Sequence, residues 1–344
     1  MGKKIIVIGG GIVGCMTARE LANHGHHVTV VERNIIAAQT SGEASWAGAG
    51  ILFPLLPWFY KDEVNAISLA GAVRYPEICA QLLTETGIDP ECINSGMRIK
   101  PPFDAHTALS WCARNNVTAE LESDDLLLPN VCQVRNPRLM QALKQSLIQN
   151  GVTLIEQTQL VPLDETELEK TGKVTGWKTS PTSKNGGTVL EADVYVVTSG
   201  AWSFELLKNT AAQLDIKPMR GQILLYQTPT DAIPHIIYQD GFYLVPRRDG
   251  YLLAGSTLED VGFDTGITKT AHQEIQAKAE AILPQLKDAP ILKHWSGLRP
   301  GTPDNMPTIA RHPTIENLYL NTGHFRYGVT MAPESAKKLT NLIG

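Results

Sequence analysis

The chain has 344 residues, 43% of them hydrophobic and 19% charged, with a formal charge of −5. This is an ordinary soluble globular composition, long enough for two domains or one large one. No basic stripe invites a nucleic acid, and the first apolar run, Ile5 to Ile8, is too short for a membrane span or a signal-peptide core.

The opening residues form a complete pattern. Lys4 to Ile8 read as a short buried strand, and Gly9, Gly11 and Gly14 follow as GxGxxG. Ile12, Cys15, Met16, Ala18, Leu21 and Ala22 recur at helical spacing, and Gly25 stands where a helix C-terminus needs a glycine. Val28 to Val31 form a second buried strand, ending at Glu32. Strand, glycine turn, helix, strand and acid together make a nucleotide-binding βαβ unit. Gly9 allows the tight turn, Gly11 lets the backbone approach a pyrophosphate, and Gly14 lets helix and strand pack closely. The helix end at Ile12 and Val13 offers unpaired N–H groups and a positive dipole end to phosphates. Glu32 is placed to accept ribose hydroxyls, which disfavours a 2′-phosphate, although the adjacent Arg33 tempers the point. The bland alternative is a glycine-rich turn with no ligand. His24, His26 and His27 read as a helix end and turn rather than a metal site, and no metal is expected. The five cysteines, Cys15, Cys79, Cys92, Cys112 and Cys132, are odd in number and lack CxxC spacing. They read as reduced thiols in a cytoplasmic protein.

Residues 37–52 are rich in small and hydroxyl side chains, a composition that can lie flat against a planar ligand. The apolar residues that follow argue against a free loop. Helical stretches are expected around 64–86 and 105–115. Residues 136–157 read as Pro near a helix start, an amphipathic helix, Gly151, then a strand. A hairpin follows near 171–193, then a buried strand from Val194 into Ser199 and Gly200. Residues 216–262 are rich in strands, 268–286 form a helix, and the chain ends as strand, glycine turn and helix. "SGLRPGTPD", residues 296–304, reads as a loop bent by Gly297 and Gly301.

The nucleotide-type pieces thus lie at the start, the middle and the end. The expected architecture is an α/β fold. A Rossmann-like dinucleotide-binding domain takes residues 1–75, 136–215 and 297–344. A mostly antiparallel sheet domain, 76–135 and 216–296, is inserted into it. A late strand and helix returning to the nucleotide domain favour a resident flavin over a nicotinamide. A helix beginning near Val329 and Thr330 can aim its positive end at the flavin pyrimidine.

At this point the sequence resembles a known family. "IIVIGGGIVG", "TSGEASWAGAGIL", "VVTSGAWS", "FYLVPR", "GLRPGTPD" and "GHFRYGVTMAP" occur in the order found in FAD-dependent D-amino acid oxidases, nearest their glycine oxidase branch. The resemblance runs over residues 4–343. It implies non-covalent FAD of the glutathione-reductase-type fold, and oxidation of the Cα–N bond of glycine, a small D-amino acid or sarcosine. Hydride would pass from the substrate Cα to flavin N5. The imino acid would hydrolyse to an oxo acid and ammonia, with O2 reduced to H2O2. It implies that Gly9, Gly11, Gly14 and Glu32 hold the ADP half. Ser41, Ser45, Gly48, Ala49, Gly50 and Ile51 would line the flavin, with Leu160, Ser199, Gly200 and Trp202 beside it. Gly323, Arg326, Tyr327, Gly328, Val329 and Thr330 would lie at the pyrimidine end. Arg299 matches the family's carboxylate-binding arginine and Tyr243 its partner tyrosine. Relatives in this branch supply an imine for thiamine biosynthesis. Oligomers of identical chains are expected.

Arg299 sits among apolar neighbours, where a guanidinium fork suits a carboxylate as lysine cannot. The alternative is a structural arginine bonded to loop carbonyls. Arg326 stays open among three roles: helping the carboxylate, bonding the flavin, or bracing the loop against Asp304. Tyr238, Phe242 and Leu258 are expected pocket walls, though the two aromatics are as readily sheet packing. No catalytic base is evident, and His324 is only a distant candidate. Two other functions remain open: a dehydrogenase of the same fold that passes electrons to a quinone or other acceptor, and a flavin- or NAD-binding module without turnover.

Overall fold

Val7, Val30, Val196 and Leu320 are all buried because their strands are covered on both faces. In the computed structural model, which describes residues 2–344 apart from Ser41, Glu165, Glu167, Glu169, Lys170 and Thr171, these strands form a six-stranded sheet. Its order is Thr308–Arg311, Leu318–Thr322, Val194–Val197, Lys4–Ile8, His27–Val31 and Thr153–Ile155. Five strands run parallel, and the Thr308–Arg311 edge strand is antiparallel. One face packs on the helices Ile12–Asn23, Asn136–Gln149 and Gly328–Ile343 through Leu21, Leu139, Leu143 and Leu339. The other face carries Ile6, Ile8 and Val31 against Leu160, Trp177, Leu207 and Ile315.

The second sheet has eight strands in the order 291–301, 217–227, 251–255, 242–246, 236–239, 97–99, 125–128 and 120–122. It is antiparallel except where Ile236–Gln239 meets Met97–Ile99. Its two faces follow the alternation of each strand. Tyr238, Tyr243, Val245 and Ile223 join one core with Phe53 and Trp111, and Phe242, Leu244 and Leu224 join another beneath the helix Lys269–Ile282.

Two expectations change. Residues 296–301 are not a loop. They complete an 11-residue strand, Ile291–Gly301, paired along Lys217–Gln227. Glycine and proline are at home there because Gly297 carries the Ala44–Ala47 helix against its bare Cα, with Ala47 Cβ 2.9 Å from where a Cβ would stand. The division expected between residues 296 and 297 therefore falls inside one strand. The helical stretch 64–86 is two helices, Asp62–Ala72 and Tyr75–Thr86, because Pro76 opens the second and cannot continue the first.

Candidate functional site

One cleft runs from the end of the first strand across to the eight-stranded sheet, between the glycine turn and the N-terminus of the last helix. Gly9 has φ +113°, a conformation open to glycine, and donates its N–H to the Val31 carbonyl at 2.9 Å. A Cβ on Gly14 would stand 1.8 Å from the Gly9 carbonyl oxygen, so Gly14 serves the close packing of helix on strand and does not itself line the cleft. Gly11, Ile12 and Val13 do line it, and the Ile12 N–H donates to Ser45 Oγ at 2.8 Å. The Glu32 carboxylate accepts from the N–H groups of Gly10 at 2.7 Å and Asn34 at 2.9 Å, which anchors the acid at the cleft wall.

Further along lie Leu160, Ser199, Gly200 and Trp202. The Arg33 guanidinium sits 3.4 Å from the Trp202 ring centroid, and Phe263 stacks on the same ring at 5.4 Å. Burial is the main influence on Arg33 and lowers its affinity for a proton. At the other end the cleft meets Gly323, His324, Arg326, Gly328 and Val329. The Gly328–Ile343 helix therefore presents its positive end to the cleft. His324 is buried, and its Nε2 has no partner among the described residues. Burial pushes it down to about 3, so it is neutral at ordinary pH.

Arg299 lines the same cleft. It is partly exposed. Its Nη2 donates to Ser256 Oγ at 2.7 Å and its Nη1 to the Thr257 carbonyl at 3.3 Å. Burial pushes its pKa below the usual arginine range, the Tyr243 hydroxyl against it partly offsets this, and the positive charge of Arg326 adds to the lowering. Among the described residues no carboxylate lies within ion-pair distance of Arg299 or Arg326. The structural alternative for Arg299 thus holds in part, since the loop takes two of its hydrogens. Arg299 is still among the residues that line the cleft. Arg326 does not brace Asp304, which pairs with Lys61 at 2.8 Å.

Several expected residues lie elsewhere. Phe242 points to the far face of its strand, because Tyr243 points to the near one. Leu258 is 43% exposed and outside the cleft lining. Tyr238 stands directly opposite Tyr243 across the strand pair, both on the face packed with Phe53 and Trp111, and neither is among the residues that line the cleft, although Tyr238 feels the charge of Arg326. Gly48 lines the cleft, whereas Ala49, Gly50 and Ile51 lie behind its lining. Thr330 donates its hydroxyl to the Ile51 carbonyl at 3.1 Å, and the Tyr327 hydroxyl takes the Leu55 N–H at 3.2 Å. Both side chains therefore brace the 51–55 segment. Ser41 lies outside the described residues.

Other contributors carry no sequence signal of their own. The buried Arg247 guanidinium donates to Gln133 Oε1, to the Val134 carbonyl at 3.0 Å and to the Ala49 carbonyl at 2.8 Å. It holds the 49–51 segment from behind. Ser256 and Thr257 are ordinary loop residues until the fold brings them to Arg299.

The residues present fit a dinucleotide flavin. The glycine turn, the open helix end and Glu32 suit an ADP moiety, and a second helix end with a buried unpartnered imidazole nitrogen suits a polar ring edge.

Comparison with known proteins agrees. The family model described as FAD dependent oxidoreductase (DAO) matches residues 4–342. A glycine oxidase of Pseudomonas putida is 36% identical, covering 100% of this chain and 95% of its own length. That of Pseudomonas aeruginosa is 38% identical with the same coverage. The crystal structure of glycine oxidase from Bacillus cereus superposes with a TM-score of 0.86 at 26% identity, over 99% of this chain and 94% of that one.

Proposed function

The chain belongs to the family of FAD-dependent oxidoreductases, and from that premise we propose that it oxidises the Cα–N bond of a small amino acid, with glycine as the first candidate and Arg299 binding the carboxylate. The observation that carries the reading is the placement of the Arg299 fork in the same cleft as the glycine turn, with no acid of the described chain to satisfy it. We take the six-stranded sheet as the cofactor half and the eight-stranded sheet as the substrate half. Bound FAD supplies the two-electron acceptor.

The chain's own residues bind and orient. The Ile12 and Val13 end of the first helix would hold the pyrophosphate, Glu32 the ribose, and the Gly328–Val329 helix end the pyrimidine side. Arg299 clamps the carboxylate in two parallel bonds, with the Tyr243 hydroxyl beside it. Arg326 adds a second positive charge. Positioning of this kind can supply much of a rate enhancement without a side-chain base. His324 is too weak a base to take the ammonium proton, so the substrate amine loses it to solvent and activity rises with pH. The five cysteines are free, in keeping with a reducing, cytoplasmic setting.

The test is a screen of glycine, sarcosine, D-alanine and D-proline, following flavin bleaching without oxygen and peroxide formation with it. Bleaching by glycine is expected. No bleaching by any of the four overturns the reading. Bleaching followed by slow reoxidation in air overturns O2 as the acceptor and leaves a dehydrogenase.

A further inference from the structure

We propose that Gly221 is a positioning residue for substrate binding, its bare Cα being the platform on which the Arg299 guanidinium lies. The proposal rests on the reading of Arg299 as the carboxylate-binding group. A Cβ built on Gly221 would stand 2.0 Å from Arg299 Nη1, 2.4 Å from Cζ and 2.4 Å from Nη2. These are the three atoms that form the outer fork. Gly221 is opposite Gly297 in the strand pair, and Arg299 is opposite Met219. The Arg299 side chain therefore runs diagonally over the position two residues along, on the same face.

The guanidinium is confined on its other sides. Ser256 Oγ and the Thr257 carbonyl accept from it, and the loop carrying them is tied down. The Gln222 N–H donates to Thr257 Oγ1 at 2.9 Å, and the buried Arg220 holds Glu259 and Asp264 at 2.6 Å each. Any side chain at 221 lifts the fork off the sheet and into the cleft. The atoms it meets are the end of a long flexible side chain, not backbone. Gly221→Ala therefore costs little stability, and the fold survives while the fork moves. This separates Gly221 from Gly14, where the added atom would meet backbone oxygen.

The test is a double-mutant cycle on the FAD-loaded protein with Gly221→Ala, Arg299→Ala and the pair. It reads flavin content, thermal midpoint, kcat/KM for glycine, and the dissociation constant of glycolate from the change in flavin absorbance. Gly221→Ser provides a second, bulkier step. Gly221→Ala is expected to retain flavin and thermal midpoint, to raise KM and the glycolate constant at least about tenfold, and to change kcat less. In the Arg299→Ala background it should add almost nothing, because the two act through one group. Wild-type affinity in Gly221→Ala and Gly221→Ser, or the same fold-loss in both backgrounds, overturns the platform. An Arg299→Ala protein with wild-type glycolate affinity overturns instead the underlying reading of Arg299.

Discussion

Replacing Arg299 by alanine removes the group proposed to bind the substrate carboxylate. The guanidinium carries five N–H donors, of which Ser256 Oγ and the Thr257 carbonyl take one each, leaving an edge for a carboxylate. Breaking a buried charge pair by deleting one partner costs about 3–5 kcal/mol. Arg299 is partly exposed, so solvent screening places the expected loss at the lower end, about 3 kcal/mol, or roughly 150-fold in affinity. Steady-state kinetics on glycine should show the loss in KM, and a glycolate titration of the flavin spectrum should show it in binding. Flavin content should hold, because the glycine turn and both helix ends are untouched. Arg299→Lys keeps the charge but not the two parallel donors, and should recover only a fraction. A KM within about threefold of the parent in Arg299→Ala refutes the argument. So does loss of FAD with no separate effect on substrate.

Gly14→Ala should fail to fold or lose FAD outright, because its Cβ would stand 1.8 Å from the Gly9 oxygen, whereas Gly11→Ala meets only Ser45 Oγ at 3.0 Å and should fold. Soluble yield and flavin content of the two variants check this, and equal behaviour counts against it. His324 is held neutral by burial down to about pH 3, while the unfolded chain protonates it near 6.5, so acid favours the unfolded state through this group. Between pH 7 and 4 that amounts to about 3 kcal/mol, and denaturant unfolding of His324→Gln against the parent should show the parent losing more by that amount. An unchanged difference contradicts it. Arg247→Ala strips donors from the Ala49 and Val134 carbonyls and should lower stability by about 3 kcal/mol or more, read as a clear fall in thermal midpoint. A midpoint equal to the parent's would show that these carbonyls find other donors.

The opening βαβ was legible because every constraint on it is local: apolar runs of strand length, helical spacing from Ile12 to Leu21, and glycines where the backbone turns. The same holds for the last strand and helix, and for the 136–149 helix, with Pro137 in its first turn and Gly151 just past its end. Residues 296–301 look like a loop in the sequence but form a strand, because glycine and proline signal turns only when nothing presses on them. Here a helix lies against Gly297 and a guanidinium over Gly221, and both contacts come from elsewhere in the chain.

Composition, periodicity and glycine spacing by themselves determined a nucleotide-binding α/β unit with a second sheet, and marked Arg299 as a cation in apolar company. Only the tertiary structure decided which side chains share a face with it. Strand alternation turned Phe242 away and kept Tyr243 near, register laid Arg299 across Gly221, and the segment that follows the 251–255 strand carried Ser256 to the fork. The reason is one of range. Backbone preference acts over a few residues and is written in the neighbours, whereas register and packing bring Arg299 against Thr257 and Gly221, 42 and 78 residues away, and no short window contains both partners.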